Sequence, residues 1–308
     1  MQRIGQYAVY LLVRLVLAVV QALPPAWADS VARFGAWLLW DLLHLRRRVV
    51  EENLRCAFPQ WSDRKRHQVA RAMWHHLVLL VIEVAQAARR IHRTNWHQFV
   101  EVEDESQTVA TLLDRRPLLL VTAHFGNFEM AGYLLGLLGY PIHSVARPLD
   151  NPYLDRLVEG FRGSQSQRVI RKQGEFERIE QILSSGGILS LLADQYAGRK
   201  GCWVEFFGRP ASAHKAIALL ALEHQAPVAV GYCVRTGRPM HFRLVVQAVL
   251  DPKTCPEAMR TVPGITQWYT EQFERFIRRW PEQYWWVHRR WKDPRRPRRS
   301  RGEDRRAA

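Results

Sequence analysis

Apolar and polar positions fall into three regimes along the chain. Tyr7 to Leu23 is apolar except for Arg14 and Gln21, and Pro24-Pro25 stops it. A helix of that length spans roughly 26 Å, slightly short of a ~30 Å hydrocarbon core. The pattern predicts a membrane-anchoring segment, with Arg14 snorkelling from an interfacial helix or from a tilted span. A core helix of a soluble protein is the competing reading, and the lack of a small-residue cleavage site argues against a removed signal peptide. Val31 to Val50, carrying Trp37 and Trp40, then reads as an amphipathic helix. Ser62-Asp63 opens another that runs to about Ile91.

From Leu118 the pattern changes to short apolar runs alternating with helical stretches. Leu118 to Ala123, Ile142 to Ala146 and Leu189 to Ala193 read as buried strands. Ala226 to Arg235 and Met240 to Leu250 flank the turn Thr236-Gly237-Arg238-Pro239, which predicts a hairpin. The expected fold class is therefore α/β, with a mixed, mostly parallel sheet flanked by helices. Val262 to Trp280 is a last amphipathic helix, ended by Pro281. The predicted organisation is an anchor at 1–25, a helical region at 26–105, a catalytic α/β domain at 106–291 and a basic, disordered tail at 292–308.

The strand ends carry the candidate chemistry. After the first come His124-Phe125-Gly126-Asn127-Phe128-Glu129 and then a helix-like apolar run. Ligands of open α/β sheets gather at this edge. Gly126 permits a sharp turn, Asn127 suits an N-cap, and Glu129 would stay ionised in a first helical turn. The expectation is a base-plus-orienter dyad, Glu129 fixing one imidazole nitrogen so that the other accepts a hydroxyl proton. Backbone N–H groups of Gly126 and Asn127 are candidate oxyanion donors. Arg147 follows the second strand and can bind an anion in a fork; Arg171, after Val169-Ile170, is a second anion candidate, and Asp150 and Asn151 suit a helix cap. Asp194-Gln195 ends the third strand, with Asp194 open to orienting Arg147, ordering a loop or touching substrate. Phe206, Phe207 and Pro210 are expected to pack a loop against a substrate groove. No serine lies in G-x-S-x-G, which counts against an acyl-enzyme. No metal-binding spacing such as H-E-x-x-H occurs, so neither metal nor cofactor is expected.

These blocks, in this order, resemble the lipid A biosynthesis acyltransferases, the lauroyl and myristoyl transferases of Gram-negative bacteria, within the wider glycerolipid acyltransferase-like group. The resemblance extends to Asn53-Leu54-Arg55-Cys56-Ala57-Phe58-Pro59 and to Pro281-Glu282-Gln283-Tyr284-Trp285-Trp286-Val287-His288-Arg289-Arg290, the most specific single string. It implies transfer of an acyl chain from acyl-acyl carrier protein to a hydroxyl of a lipid A precursor at the bacterial inner membrane. It also implies a role for the acidic residue at Asp194. The alternative acceptor is a lysophospholipid or another glycolipid, with acyl-CoA or acyl-acyl carrier protein as donor.

Charge and composition narrow the partners. The 308 residues carry 45 Lys+Arg against 29 Asp+Glu, a net +16, which calls for anionic partners: an acidic carrier protein, an anionic glycolipid or phospholipid acceptor, a membrane surface. Twelve tryptophans favour the membrane–water interface. Arg33, Arg46, Arg47 and Arg48 after the anchor, against Arg3 before it, place the body on the cytoplasmic face. Seven arginines between residues 295 and 306 would attract any polyanion, but no nucleic-acid fold motif accompanies them and no specific nucleic-acid partner is expected. Four widely spaced cysteines fit a reducing compartment.

Overall fold

The computed structural model describes residues 2–163, 167–171 and 175–292; the side chains of Gln2 and Arg171 lie outside the description, as does the basic tail. Helix α1 (Gln2–Ala22) covers the first apolar run. The single amphipathic helix expected at Val31 to Val50 is instead three pieces: α2 (Pro25–Ala36), a π-helix over Trp37–Leu42, and α3 (Arg47–Ala57). Pro24-Pro25 starts the first piece early, and the widened turn ends where Leu43 N–H donates to Leu38 O (2.8 Å) and His44 and Arg46 take positive φ. Helix α4 (Asp63–Arg90) begins as expected, Ser62 Oγ accepting from Lys65 N (3.2 Å) as its N-cap.

The sheet then builds through β1 (Val100–Val102), α5 (Glu105–Leu112), β2 (Leu118–Thr122), α6 (Phe128–Leu137), β3 (Ile142–Ala146), α7 (Pro152–Gly163), β4 (Arg168–Arg171), α8 (Phe176–Ser184) and β5 (Ile188–Leu192). A two-stranded antiparallel ribbon follows, β6 (Cys202–Phe206) with β7 (Arg209–Ala213), then α9 (Ala216–Glu223), β8 (Val228–Arg235), β9 (Phe242–Leu250) and α10 (Val262–Arg279). The seven-stranded sheet has the order β1-β9-β8-β2-β5-β3-β4. All its pairings are parallel except β8–β9, the hairpin expected from Gly237, whose φ is +68°. The sheet is thus mixed and mostly parallel, and near-continuous apolar strands such as Leu118–Val121 are buried on both faces.

Phe206 and Phe207 pack elsewhere than expected. Their rings stack and edge against Trp291, Phe58 and Trp286, tying the ribbon to the end of α3 and to the segment after α10, and neither they nor Pro210 line the central cavity.

One buried ion pair joins α4 to the sheet. Glu83, with a side chain 0% exposed, accepts from Arg235 Nε and Nη2 (both 2.6 Å), from Asn127 Nδ2 (2.9 Å) and from Met240 N (3.0 Å). All its lone-pair directions are satisfied, the condition under which a buried carboxylate is tolerated. Truncation as Glu83→Ala leaves the Arg235 guanidinium buried without its counter-ion. It should destabilise the protein by about 3–5 kcal/mol, read as a lower denaturation midpoint; an unchanged midpoint contradicts the role assigned to the pair.

Candidate active site

Strand register brings the key residues together. β2 and β5 are parallel neighbours in a constant offset, from Leu118↔Ile188 to Thr122↔Leu192. Two residues further along each chain stand His124 and Asp194, and the imidazole Nδ1 lies 2.7 Å from the Asp194 carboxylate. Both side chains are buried. Burial alone would raise the Asp194 carboxyl, but the charge and hydrogen bond of His124, with His288 beyond it, hold it at about 2. An ionised carboxylate can only accept, so Nδ1–H donates to it and the proton stays on Nδ1. Nε2 then carries the lone pair, in a histidine that lines the cavity.

The carboxylate orienting His124 is therefore that of Asp194, not that of Glu129 as expected from the sequence. Glu129 does sit in the first turn of α6, but Arg162 of α7 holds it in a fork, Nε to Oε2 at 3.0 Å and Nη2 to Oε1 at 2.5 Å. Burial opposes the Arg162 charge, yet Glu129 outweighs it and the guanidinium pKa is raised. The expected backbone donors are also engaged. Gly126 N–H donates to Gln283 O and Asn127 N–H to Cys233 O, each at 2.8 Å, so neither is free to meet an oxyanion.

The turn between His124 and α6 is held on every side. Gly126 has φ +57°, and a Cβ there would lie 2.0 Å from Cys233 O, so no other residue fits. Asn127 caps α6, its Oδ1 accepting from Met130 N (3.1 Å). Arg235 can only donate, so the 2.7 Å contact from its Nη1 makes His76 Nδ1 an acceptor and leaves His76 Nε2–H to donate to Gly126 O (3.1 Å). Burial and the Arg235 charge keep that imidazole pKa well below its ordinary value. From the other side the string beginning at Pro281 folds back on the turn: Phe125 and Tyr284 form an antiparallel bridge, and Trp285 N–H donates to His124 O (3.0 Å). Trp285 stacks on the His124 ring with centroids 5.1 Å apart, and His288 sits tilted at the same distance.

His124 opens onto a cavity of about 660 Å³ running across one sheet face. Leu120, Leu244 and Val246 supply its strand walls, Leu112 of α5 and Leu135 of α6 its helical ones, and Glu129 and Arg162 border it. Volume and apolar lining are those of a site for a sizeable apolar ligand. Arg147 stands at the rim, its side chain 78% exposed and 3.3 Å from Asp150. Asn151, rather than Asp150, caps α7, accepting from Tyr153 N (3.0 Å). The Arg171 side chain lies outside the described residues. Among the described residues one group of metal-type donors gathers, Glu180, Glu223 and His224, and it does not line the cavity.

Arg162, His76 and Glu83 carry no signal in the sequence that would single them out. Each sits inside a helix with no motif around it, and only the packing of α4 and α7 on the sheet edge brings it to the site. His288 lies within a recognised string, but its nearness to His124 is not legible there.

The site is thus a mostly parallel sheet with an oriented histidine at its carboxyl edge, facing an apolar cavity. The family model for bacterial lipid A biosynthesis acyltransferases matches residues 2–293, and the chain belongs to that family. A lipid A biosynthesis acyltransferase of Haemophilus influenzae is 23% identical over 262 residues, covering 83% of this chain and 78% of the relative. A lipid A biosynthesis lauroyltransferase of Escherichia coli is 24% identical, covering 80% and 79%. A palmitoleoyltransferase of the same organism is also 24% identical, covering 84% and 83%. The protein is an acyltransferase.

The two candidate carboxylates can be separated spectroscopically. The downfield Nδ1 proton resonance expected of a short imidazole–carboxylate bond should vanish in Asp194→Asn and survive in Glu129→Gln. The reverse result would restore Glu129 as the orienter.

Proposed function

We propose that the protein transfers a fatty acyl chain directly from an acyl thioester to a hydroxyl of a lipid A precursor. The carrying observation is the His124–Asp194 pair, buried and opening onto a largely apolar cavity. His124 Nε2 takes the acceptor hydroxyl proton, and the oxygen attacks the thioester carbonyl. Asp194 keeps the imidazole in the required tautomer and stabilises the imidazolium that forms. Collapse breaks the C–S bond, and the leaving thiolate recovers the proton from His124. Glu129 and Arg162, locked together at the cavity wall, bound the approach of the acceptor. Arg147 at the rim, free to move from Asp150, meets an anionic group of that acceptor. The net charge of +16 suits an anionic donor, and acyl-acyl carrier protein, being acidic, is one.

The reaction takes place at a membrane. Along α1 the apolar residues point outward, Ile4, Leu12, Leu15 and Val19 among them, and the helix is long and apolar enough to cross a bilayer. Trp27, Phe34, Trp37 and Leu42 continue this exposed apolar surface along α2 and the π-helix. The surface adjoins the cavity rim: Gln6 Nε2 donates to Asp150 O (3.2 Å), Asn151 Nδ2 donates to Gln6 O (2.9 Å), and the rings of Tyr7 and Tyr153 meet edge to face. A multi-chain glycolipid leaves a bilayer at a cost of about 0.8 kcal/mol per CH₂, so a mouth seated at the headgroups is the economical arrangement. The Arg-rich segment after α1 supports the cytoplasmic face of the inner membrane.

Mass spectrometry of lipids from a deletion strain tests the acceptor: lipid A lacking one acyl chain supports the reading, and loss confined to phospholipid species would favour the lysophospholipid alternative. Purified, folded His124→Ala should fall by about a hundredfold or more in rate; retention of a tenth of wild-type turnover contradicts the base assignment. Removing residues 1–25 should release protein to the soluble fraction and depress activity on membrane-embedded acceptor more than on detergent-dispersed acceptor. Complete pelleting of the truncated enzyme at high salt would shift the anchor to the tryptophan-bearing surface of α2.

A further inference from the structure

Attack on a thioester builds negative charge on its carbonyl oxygen, and a donor must be aimed at that charge. Gly126 and Asn127 have spent their N–H groups on Gln283 and Cys233. A side-chain amide stands in a better place. Gln195 directly follows Asp194, so the backbone that holds the carboxylate against His124 also delivers Gln195 to the same cavity wall.

Its orientation is set from behind. Gln195 Nε2 lies 3.3 Å from His288 Nε2. Burial first, then the charges of His124 and Arg46, hold the His288 imidazole at about 4 despite the opposing pull of Asp194, so the ring is neutral under working conditions. The amide group facing the ring is its NH₂, which can only donate, so the neutral His288 accepts at Nε2 and carries its proton on Nδ1. One amide N–H goes to His288, which leaves the second for a ligand. His288 is itself fixed: Asn53 Nδ2 donates to its carbonyl oxygen (2.5 Å), and its ring lies 5.3 Å from that of Trp285. A contact of this length tightens when the reacting group arrives.

We propose that Gln195 is a further catalytic residue, donating its free amide N–H to the carbonyl oxygen of the scissile thioester, and that His288 is the positioning residue that turns this N–H into the cavity. The inference rests on the direct transfer proposed above. As the acceptor oxygen bonds to the carbonyl carbon and its proton passes to His124, the C=O π pair moves onto the oxygen facing Gln195. The pair returns when the C–S bond breaks.

The test is steady-state kinetics of the full chain with acyl-acyl carrier protein and lipid A precursor. Gln195→Ala should lower kcat by about a hundred- to a thousandfold, with KM little changed. Gln195→Glu, which keeps the shape but offers no N–H, should lose as much, and it carries the test if the alanine variant fails to fold. His288→Phe should lower kcat in the same sense, while His288→Gln, which returns an acceptor near the Nε2 position, should recover part of the loss. Because His288 acts through Gln195, the double variant Gln195→Ala/His288→Phe should be no slower than Gln195→Ala alone. If Gln195→Ala and Gln195→Glu both keep more than about a third of wild-type kcat, the assignment is overturned and the first-turn N–H groups of α6 become the donors. Losses that multiply in the double variant overturn the role of His288. A wild type inert towards every acceptor and donor overturns the transfer reaction and this inference together, whereas an active wild type matched by Gln195→Ala overturns only this one.

Discussion

The geometry around His124 depends on a carboxylate that makes no contact with the imidazole. Glu83 lies two turns before the end of α4, and with Arg235 it controls both ends of the turn that carries His124. Through Asn127 it fixes the start of α6, and through Arg235 and His76 it reaches Gly126 O. Two charges buried together are weak stabilisers, because desolvation consumes most of their attraction. Their contribution here is directional: the hydrogen-bond set is complete with one arrangement of the turn, and any other leaves a charge unsatisfied.

Around that fixed turn the site divides its labour. Parallel strands in register supply the histidine and its carboxylate, a fold-level consequence of β2 lying beside β5. The helices on the cavity face, α5, α6 and α7, supply apolar walls and the Glu129–Arg162 fork. The chain's last described segment closes the site, laying Tyr284 against Phe125 and Trp285 against the imidazole. Imidazole, wall and cover come from separate stretches of sequence, so a substitution in one alters a separable property.

Much of this is legible in the amino-acid sequence alone. β3 falls at Ile142–Ala146 as expected, because Pro141 and the Arg147-Pro148 pair bound its apolar run, and α4 starts at the cap Ser62. The turn at Gly237 predicts the antiparallel edge that makes the sheet mixed. The His124–Asp194 contact is not legible, because 70 residues separate the two and only the order of strands makes them neighbours. Local spacing favours Glu129, five residues on, but the same helical turn that places it near in sequence faces it to α7 and Arg162. The break of the Val31 to Val50 helix is hidden too, since neither the π turn at Trp37–Leu42 nor the positive φ of His44 and Arg46 is marked by a glycine or proline.

The contacts of Asn53 with Trp286 O and His288 O span 233 and 235 residues, and the one joining Gly126 to Gln283 crosses most of the catalytic domain. Contacts so distant along the chain form late, after the loop between them has closed. On the ribosome, α1 therefore emerges and can engage lipid long before the segment that covers His124 has been synthesised. The order of events is then built into the topology: the long apolar helix is made first and the segment that completes the site is made last.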